Sequence, residues 1–259
     1  MDAGEPTGQT IALMYHALGE AVGPAADPHY TVGMPAFSEQ RALCASLGGG
    51  VVSARDWLSG RPGVILTFDD GLESNYHLGF PTLVAAGASA DFFVNPAQVG
   101  TPGFATWAHL REMADGGMSI QSHGLDHRYF LTEISPQRLR EDLRRARLEI
   151  EERVGHPVTL LAPPGGRSPA GLVRIAEELG YTHVLDSKPG VIGRIPGRPL
   201  CRFAVTSQLD LKTLESWLRG GRAVLRAQAR YAVLAFAKRM LGDSRYQSVR
   251  RRLLGTAPL

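Results

Sequence analysis

The run Thr67-Phe68-Asp69-Asp70-Gly71 places two adjacent carboxylates directly after the apolar stretch Val64–Leu66. Two carboxylates at the end of a buried strand do not both stay ionised cheaply; a bound cation or one raised pKa relieves their repulsion. An Asx-type turn that closes the strand accounts for Asp-Asp-Gly as well. About fifty residues later, His123-Gly-Leu-Asp-His127 follows the stretch Ser119–Ser122. Histidines at i and i+4 converge on one ion if the segment makes one helical turn. Two imidazoles with one upstream carboxylate form the donor set of a catalytic zinc site, leaving a position for water. Cysteine-based structural zinc sites are excluded, because the chain has only Cys44 and Cys201, far apart and read as small core residues.

These residues need elements that bring them to one place. Short apolar runs read as strands at Ile11–His16, Val64–Phe68, Ala90–Val94, Ser119–Ser122, Val158–Leu161, His183–Leu185 and Arg202–Val205. Helical periodicity lies between them, most clearly over Pro136–Val154, where Ser135 suits the N-cap and Gly155 the stop. Further helices are expected over Ser74–Ala86, over Trp107–Ala114 and from Ser168-Pro169 to Gly180. This alternation predicts an α/β fold, a distorted (β/α) barrel of about seven parallel strands; an open doubly wound sheet is the alternative. In a parallel sheet the C-terminal strand ends share one face. Tyr15-His16, Asp69-Asp70, His123 with His127, and the Pro163–Arg167 loop would all meet there.

Thr-Phe-Asp-Asp-Gly, then Ser-His-x-x-x-His, then a Pro/Gly loop, resembles the polysaccharide deacetylase family, also called the NodB-homology or carbohydrate esterase family 4 domain. The resemblance covers roughly residues 10–205. It implies removal of acetyl groups from N-acetylated sugars, with Asp69 as general base and Asp70, His123 and His127 as ligands of one divalent metal ion. Zinc suits that set, and nickel, cobalt and manganese are compatible. A backbone N–H in the Gly165-Gly166 loop is expected to help hold the oxyanion.

The chain departs from the family pattern at several points. Gly124 stands where Ser or Thr is usual, and the third motif, here Ala162–Arg167, lacks its upstream arginine. Arg167 is the candidate to reach back and orient Asp69, with a solvated surface role as the alternative. No acidic-tryptophan motif is recognisable near Asp186, and no late Leu-x-His supplies a general acid. Leu13-Met14-Tyr15-His16 resembles the Met-Tyr-His run of biofilm poly-N-acetylglucosamine deacetylases, whose motif order is permuted. By that resemblance His16 is the acid; a strand-end histidine held for stability is the alternative. Asn95 is a candidate to line the sugar site and Trp107 to stack on a sugar, although Trp57, Trp107 and Trp217 also suit core anchors. Arg202 is placed near the site only through the last candidate turn.

Composition narrows the remainder. With 44 % hydrophobic and 20 % charged residues, the 259-residue chain is neither disordered nor a disulfide scaffold. Residues 1–214 carry 18 Lys+Arg against 23 Asp+Glu, whereas residues 215–259 carry 10 against 2. A catalytic domain over 1–214 with a basic helical C-terminal extension over 215–259 is therefore expected. The extension, with Arg222, Arg226 and Arg230 on one face, is expected to pack on the barrel, to touch an anionic membrane peripherally or to meet a protein partner. Nucleic acid is not expected, because no aromatic interleaving accompanies the charge. Met1 to Thr10 holds Asp2 and Glu5 and no apolar core, so neither signal peptide nor membrane span is expected. The expected location is cytoplasmic, at the inner membrane face if the tail docks there. The partner is then an acetylated glycan, of an exopolysaccharide or its precursor. An O-acetyl esterase or other amidase using the same residues, and a carbohydrate-binding pseudo-enzyme, are the alternatives.

Overall fold

In the computed structural model, strand β1 (Ala12–Tyr15) pairs in parallel with β5 (Val64–Phe68) on one side and β10 (Phe203–Ala204) on the other. From β5 the sheet continues through β6 (Asp91–Val94), β7 (Ser119–Ser122), β8 (Leu160–Leu161) and β9 (His183–Val184), every pair parallel. The structure describes residues 10–241 except 22, 24, 129, 131–133, 167 and 194–196, with side chains described as far as 235. A short β4 (Val51–Val52) also joins β5, and β2 (Ala17–Leu18) pairs with β3 (Thr31–Val32) as a separate ribbon. The gap between β9 and β10 is spanned by a single bridge, Leu185 to Leu200. The result is the expected distorted (β/α) barrel with seven strands on its main path.

Strand alternation produces two cores. Leu13, Tyr15, Leu66, Phe68, Phe92 and Val94 pack under the helices, with Phe68 stacked between Tyr15 and Phe92. The residues between them, including Ala12, Ile65 and Phe93, join Leu160, Ala162 and Leu185 in a separate inner cluster. Helix α1 (Met34–Gly48), the short α2 (Ala54–Leu58), α3 (Phe80–Ala85), α4 (Trp107–Asp115), α5 (Pro136–Val154) and α6 (Leu172–Glu178) connect the strands. α5 has the expected ends: the Ser135 side chain accepts from the Arg138 N–H, and Gly155 closes it at φ 81°.

Two helices differ from expectation for local reasons. The segment expected over Ser74–Ala86 splits into a π-turn, Asn75–Gly79, and α3. Pro81 has no N–H to donate to the preceding turn, and the Phe80 N–H bonds Asn75 O, five residues back. α6 begins at Leu172 rather than at Pro169, because Gly171 sits at φ 83° and cannot lie inside a helix. Near the C-terminus, α7 (Leu211–Leu218) buries Leu214 and α8 (Arg222–Leu241) buries Val224. The charge boundary at 214/215 falls inside α7. Among the described residues, no helix is long and apolar enough to cross a membrane.

At the opposite end of β6 from the site, the Asp91 carboxylate is fully buried and accepts the Ala54 N–H at the start of α2. Burial pushes its pKa up to about 6, against the Ala54 N–H and Ser119 hydroxyl that favour the charge. The fold thus prefers the neutral acid: the stability it contributes is complete below the ordinary value near 4 and is lost as pH rises through about 6. A shift of this size corresponds to about 3 kcal/mol. Melting of the native chain should lose roughly that much between pH 4 and 8 relative to Asp91→Asn, and parallel pH profiles for the two would contradict it.

Candidate active site

β5 ends at Phe68, and Asp69 continues its direction, with its N–H on Tyr15 O at 2.9 Å. The carboxylate points into the barrel and is buried. Arg202, just before β10 and 0 % exposed, meets it in a two-pronged pair, Nη1 to Oδ1 at 2.6 Å and Nη2 to Oδ2 at 2.9 Å. The remaining guanidinium contacts fix its plane: Nη1 also donates to Thr67 Oγ1, Nε donates to Asp186 O, and the group lies 5.4 Å from the Phe93 ring centroid. Burial alone would push the Asp69 pKa up. The Arg202 charge, followed by smaller contributions from His123 and His16, outweighs it and holds the carboxyl below the usual range. Asp69 is therefore an ionised acceptor fixed in one orientation. Arg202 pairs with both Asp69 oxygens; Arg167, the candidate to orient Asp69 from the sequence, lies outside the described residues.

Asp70 turns the opposite way because its backbone is left-handed, at φ 75°. Its Oδ1 lies 3.3 Å from His123 Nε2 and 3.1 Å from His127 Nε2. Among the described residues this is the one group of three such donors, all within 4.8 Å of one another. The two histidines converge without sharing a helical turn. They sit on a bent loop after β7 that reverses at Gly124, φ 84°, and at His127, φ 59°. Asp70 and His127 are the only non-glycine residues with positive φ among those described. Gly124 is required here, since its φ is left-handed and an added Cβ would sit 3.1 Å from Phe130 Cζ. The familial hydroxyl residue does not suit this loop.

The donor set fits a divalent ion. Asp70 Oδ1 is buried and close to both imidazoles, yet it makes no hydrogen bond of acceptable geometry among the described residues. Ligand atoms about 2.0–2.2 Å from a tetrahedral ion lie roughly 3.3–3.6 Å apart, close to the two separations seen. Burial works against the Asp70 charge, but His123, His127 and His16 outweigh it and hold the carboxyl well below the usual range; Asp70 in turn raises the pKa of His127.

His16 follows β1, beside β5, and its charge acts on both Asp69 and Asp70, which places it at the same strand ends. Its ring lies 4.7 Å from that of Tyr30, and its buried Nδ1 has no hydrogen-bond partner among the described residues. Other candidates move. Asn95 is fully buried and donates through Nδ2 to His123 O at 2.6 Å; it braces the histidine loop from beneath instead of lining a sugar cleft. The Gly166 N–H is committed to Pro163 O at 3.0 Å, which removes it as an oxyanion donor and leaves Gly165, at φ 60°, as the loop's candidate. Trp107 is partly buried against the main core, as suits a core anchor.

Compared with known proteins, residues 59–184 match the family described as polysaccharide deacetylase. YxkH of Bacillus subtilis (strain 168), which bears a polysaccharide deacetylase name, is 30 % identical over 134 residues, or 52 % of this chain and 48 % of that protein. The chain thus spans about half the length of that curated relative. Among solved structures, the Streptococcus pyogenes deacetylase PplD in complex with acetate matches with a TM-score of 0.71 at 22 % identity, over 82 % of this chain and 97 % of that one. IcaB from Ammonifex degensii matches at 0.65 and 24 %, over 85 % and 97 %. At these identities the structural likeness is one of fold.

Two outcomes follow from this geometry. Arg202→Met leaves a buried carboxylate without its partner and should cost about 3–5 kcal/mol in urea unfolding. Arg202→Lys, which cannot form the two-pronged pair, should fold but raise the Asp69 pKa, moving the acid limb of any activity profile to higher pH. An unmoved limb would separate Arg202 from Asp69. Because an ion needs His127 neutral, zinc affinity by calorimetry should rise with pH across the imidazole range. A flat profile would remove His127 from the ligand set.

Proposed function

We propose, from the match of residues 59–184 to the polysaccharide deacetylase family, that the chain is a metal-dependent hydrolase removing acetyl groups from N-acetylated sugar units, of the N-acetylglucosamine type, in an exopolysaccharide or its precursor. The observation that carries this is the convergence of Asp70, His123 and His127 beside a separately held, ionised Asp69. Amide hydrolysis needs an acceptor for the water's proton, a stabiliser of the oxyanion and a donor to the departing amine. A divalent ion held by Asp70, His123 and His127, most simply zinc, would acidify the attacking water and polarise the acyl oxygen.

The chain's own residues supply the remaining chemistry. Asp69 accepts the proton of the attacking water, and its two-pronged grip by Arg202 keeps it charged and prevents it from swinging into the ligand set. His16, approaching from the neighbouring strand, donates the proton that the leaving amine nitrogen requires. Nothing among the described residues bonds its Nδ1, and the ring packs beside that of Tyr30. Asn95 holds the His123 carbonyl and with it the ligand loop. Gly165 offers a backbone N–H toward the oxyanion.

Incubation with N-acetylglucosamine oligomers should release acetate, with activity abolished by a chelator and restored by zinc. His16→Ala should lower kcat by about 10²–10⁴ while metal binding persists. Near-native turnover of that variant would remove His16 from the reaction. Release from O-acetylated glycans alone would make the enzyme an esterase, and sugar binding without chelator-sensitive release would make it a binding module.

A further inference from the structure

On the deacetylase reading, the amide nitrogen that takes a proton from His16 is bonded directly to a carbon of the sugar ring. The sugar therefore lies on the His16 side of the ligand set, and whatever walls that side meets the ring. The connection from β1 to α1 builds this wall. After β2 the chain turns at Asp27–Tyr30 before it enters β3. The Asp27 side chain accepts the His29 N–H at 2.8 Å. The Asp27 carbonyl accepts the Tyr30 N–H at 2.9 Å and the Thr31 hydroxyl at 2.8 Å. From the other flank, the Ser207 N–H, beyond β10, donates to His29 O at 2.9 Å. The turn is thus fastened within its own connection and to the segment that leaves the neighbouring strand. It brings the Tyr30 ring to 4.7 Å from the His16 ring at 32°, with the His29 ring edge-on at 4.8 Å. Tyr30 and His16 are both half-buried, so each keeps part of its surface at the mouth of the site. Trp107, the other aromatic considered for sugar contact, packs on the core instead.

We propose that Tyr30 is a specificity-determining residue whose ring contacts the pyranose bearing the scissile acetamide. This rests on the reading of His16 as the acid beside the leaving amine. A pyranose has flat faces of C–H groups inside a rim of hydroxyls, and a tyrosine ring offers a matching flat apolar surface. Tyrosine has few rotatable bonds, and this one stands on a fastened turn, so little ordering opposes the contact. The contact favours an N-acetylated sugar over an N-acetylated alkyl amine.

Steady-state deacetylation of N-acetylglucosamine oligomers by the zinc-loaded chain tests the assignment. Tyr30→Leu and Tyr30→Met remove the ring but keep apolar bulk, and either serves if it melts like the native chain. KM should rise roughly three- to tenfold with kcat unchanged, the mark of binding lost equally from ground and transition state. Inhibition by the unreactive glucosamine oligomers should weaken by the same factor. Tyr30→Phe, which keeps the ring, should show the native KM. Native-like KM in the Leu or Met variant overturns the inference and leaves the deacetylase reading standing. So does a fall in kcat at native KM, which would make Tyr30 a support of His16 alone. If the native chain releases no acetate from these oligomers, the deacetylase reading fails and the inference falls with it.

Discussion

A guanidinium sealed inside the barrel is the constraint around which the rest of the site is arranged. Arg202 has no exposure, so each of its donors needs an acceptor and its charge needs a counter-charge. The fold supplies Asp69 for the charge, Thr67 and the Asp186 carbonyl for the other N–H groups, and the Phe93 face beneath. In return, burial that would otherwise protonate Asp69 is overcome, and the carboxylate stays charged where a base is wanted. Two neighbouring aspartates thus acquire different environments. Asp69 is locked to a cation from the protein, and Asp70 faces two imidazoles with an oxygen left unsatisfied.

That separation has a backbone component. Left-handed φ in a non-glycine residue costs of order 1–3 kcal/mol. The chain accepts it at Asp70 and at His127, both among the three proposed ligands. The distortion turns Asp70 away from Asp69 and folds His127 back toward His123. Gly124 and the buried Asn95 hold the loop in this shape, one by permitting its bend and the other by fastening the His123 carbonyl.

Much of this was legible in the residues. β5 and β7 have the ends read from apolar alternation, and α5 has those marked by Ser135, Pro136 and Gly155. Asp69, Asp70, His123 and His127 meet at one end of the sheet, where their strand-end positions put them. What was not legible is non-local or strained. The Arg202–Asp69 pair spans 133 residues, and no nearby pattern announces it. Asn95 looks from sequence like any polar strand-end residue; only the three-dimensional neighbour, His123 O, defines its task. The i, i+4 spacing at 123–127 is compatible with one helical turn, and the loop reaches the same convergence through left-handed backbone at Gly124 and His127.

The pairing of β1 with both β5 and β10 has a consequence for how the molecule comes into being. A growing chain carries Asp69, Asp70, His123 and His127 well before it carries Arg202. Until β10 docks against β1, Asp69 has neither its counter-charge nor its fixed direction. β10 therefore completes a centre whose first part lies beside β1, and no nascent chain that stops short of Arg202 contains it. Assembly and competence become one event, which waits for the docking of β10.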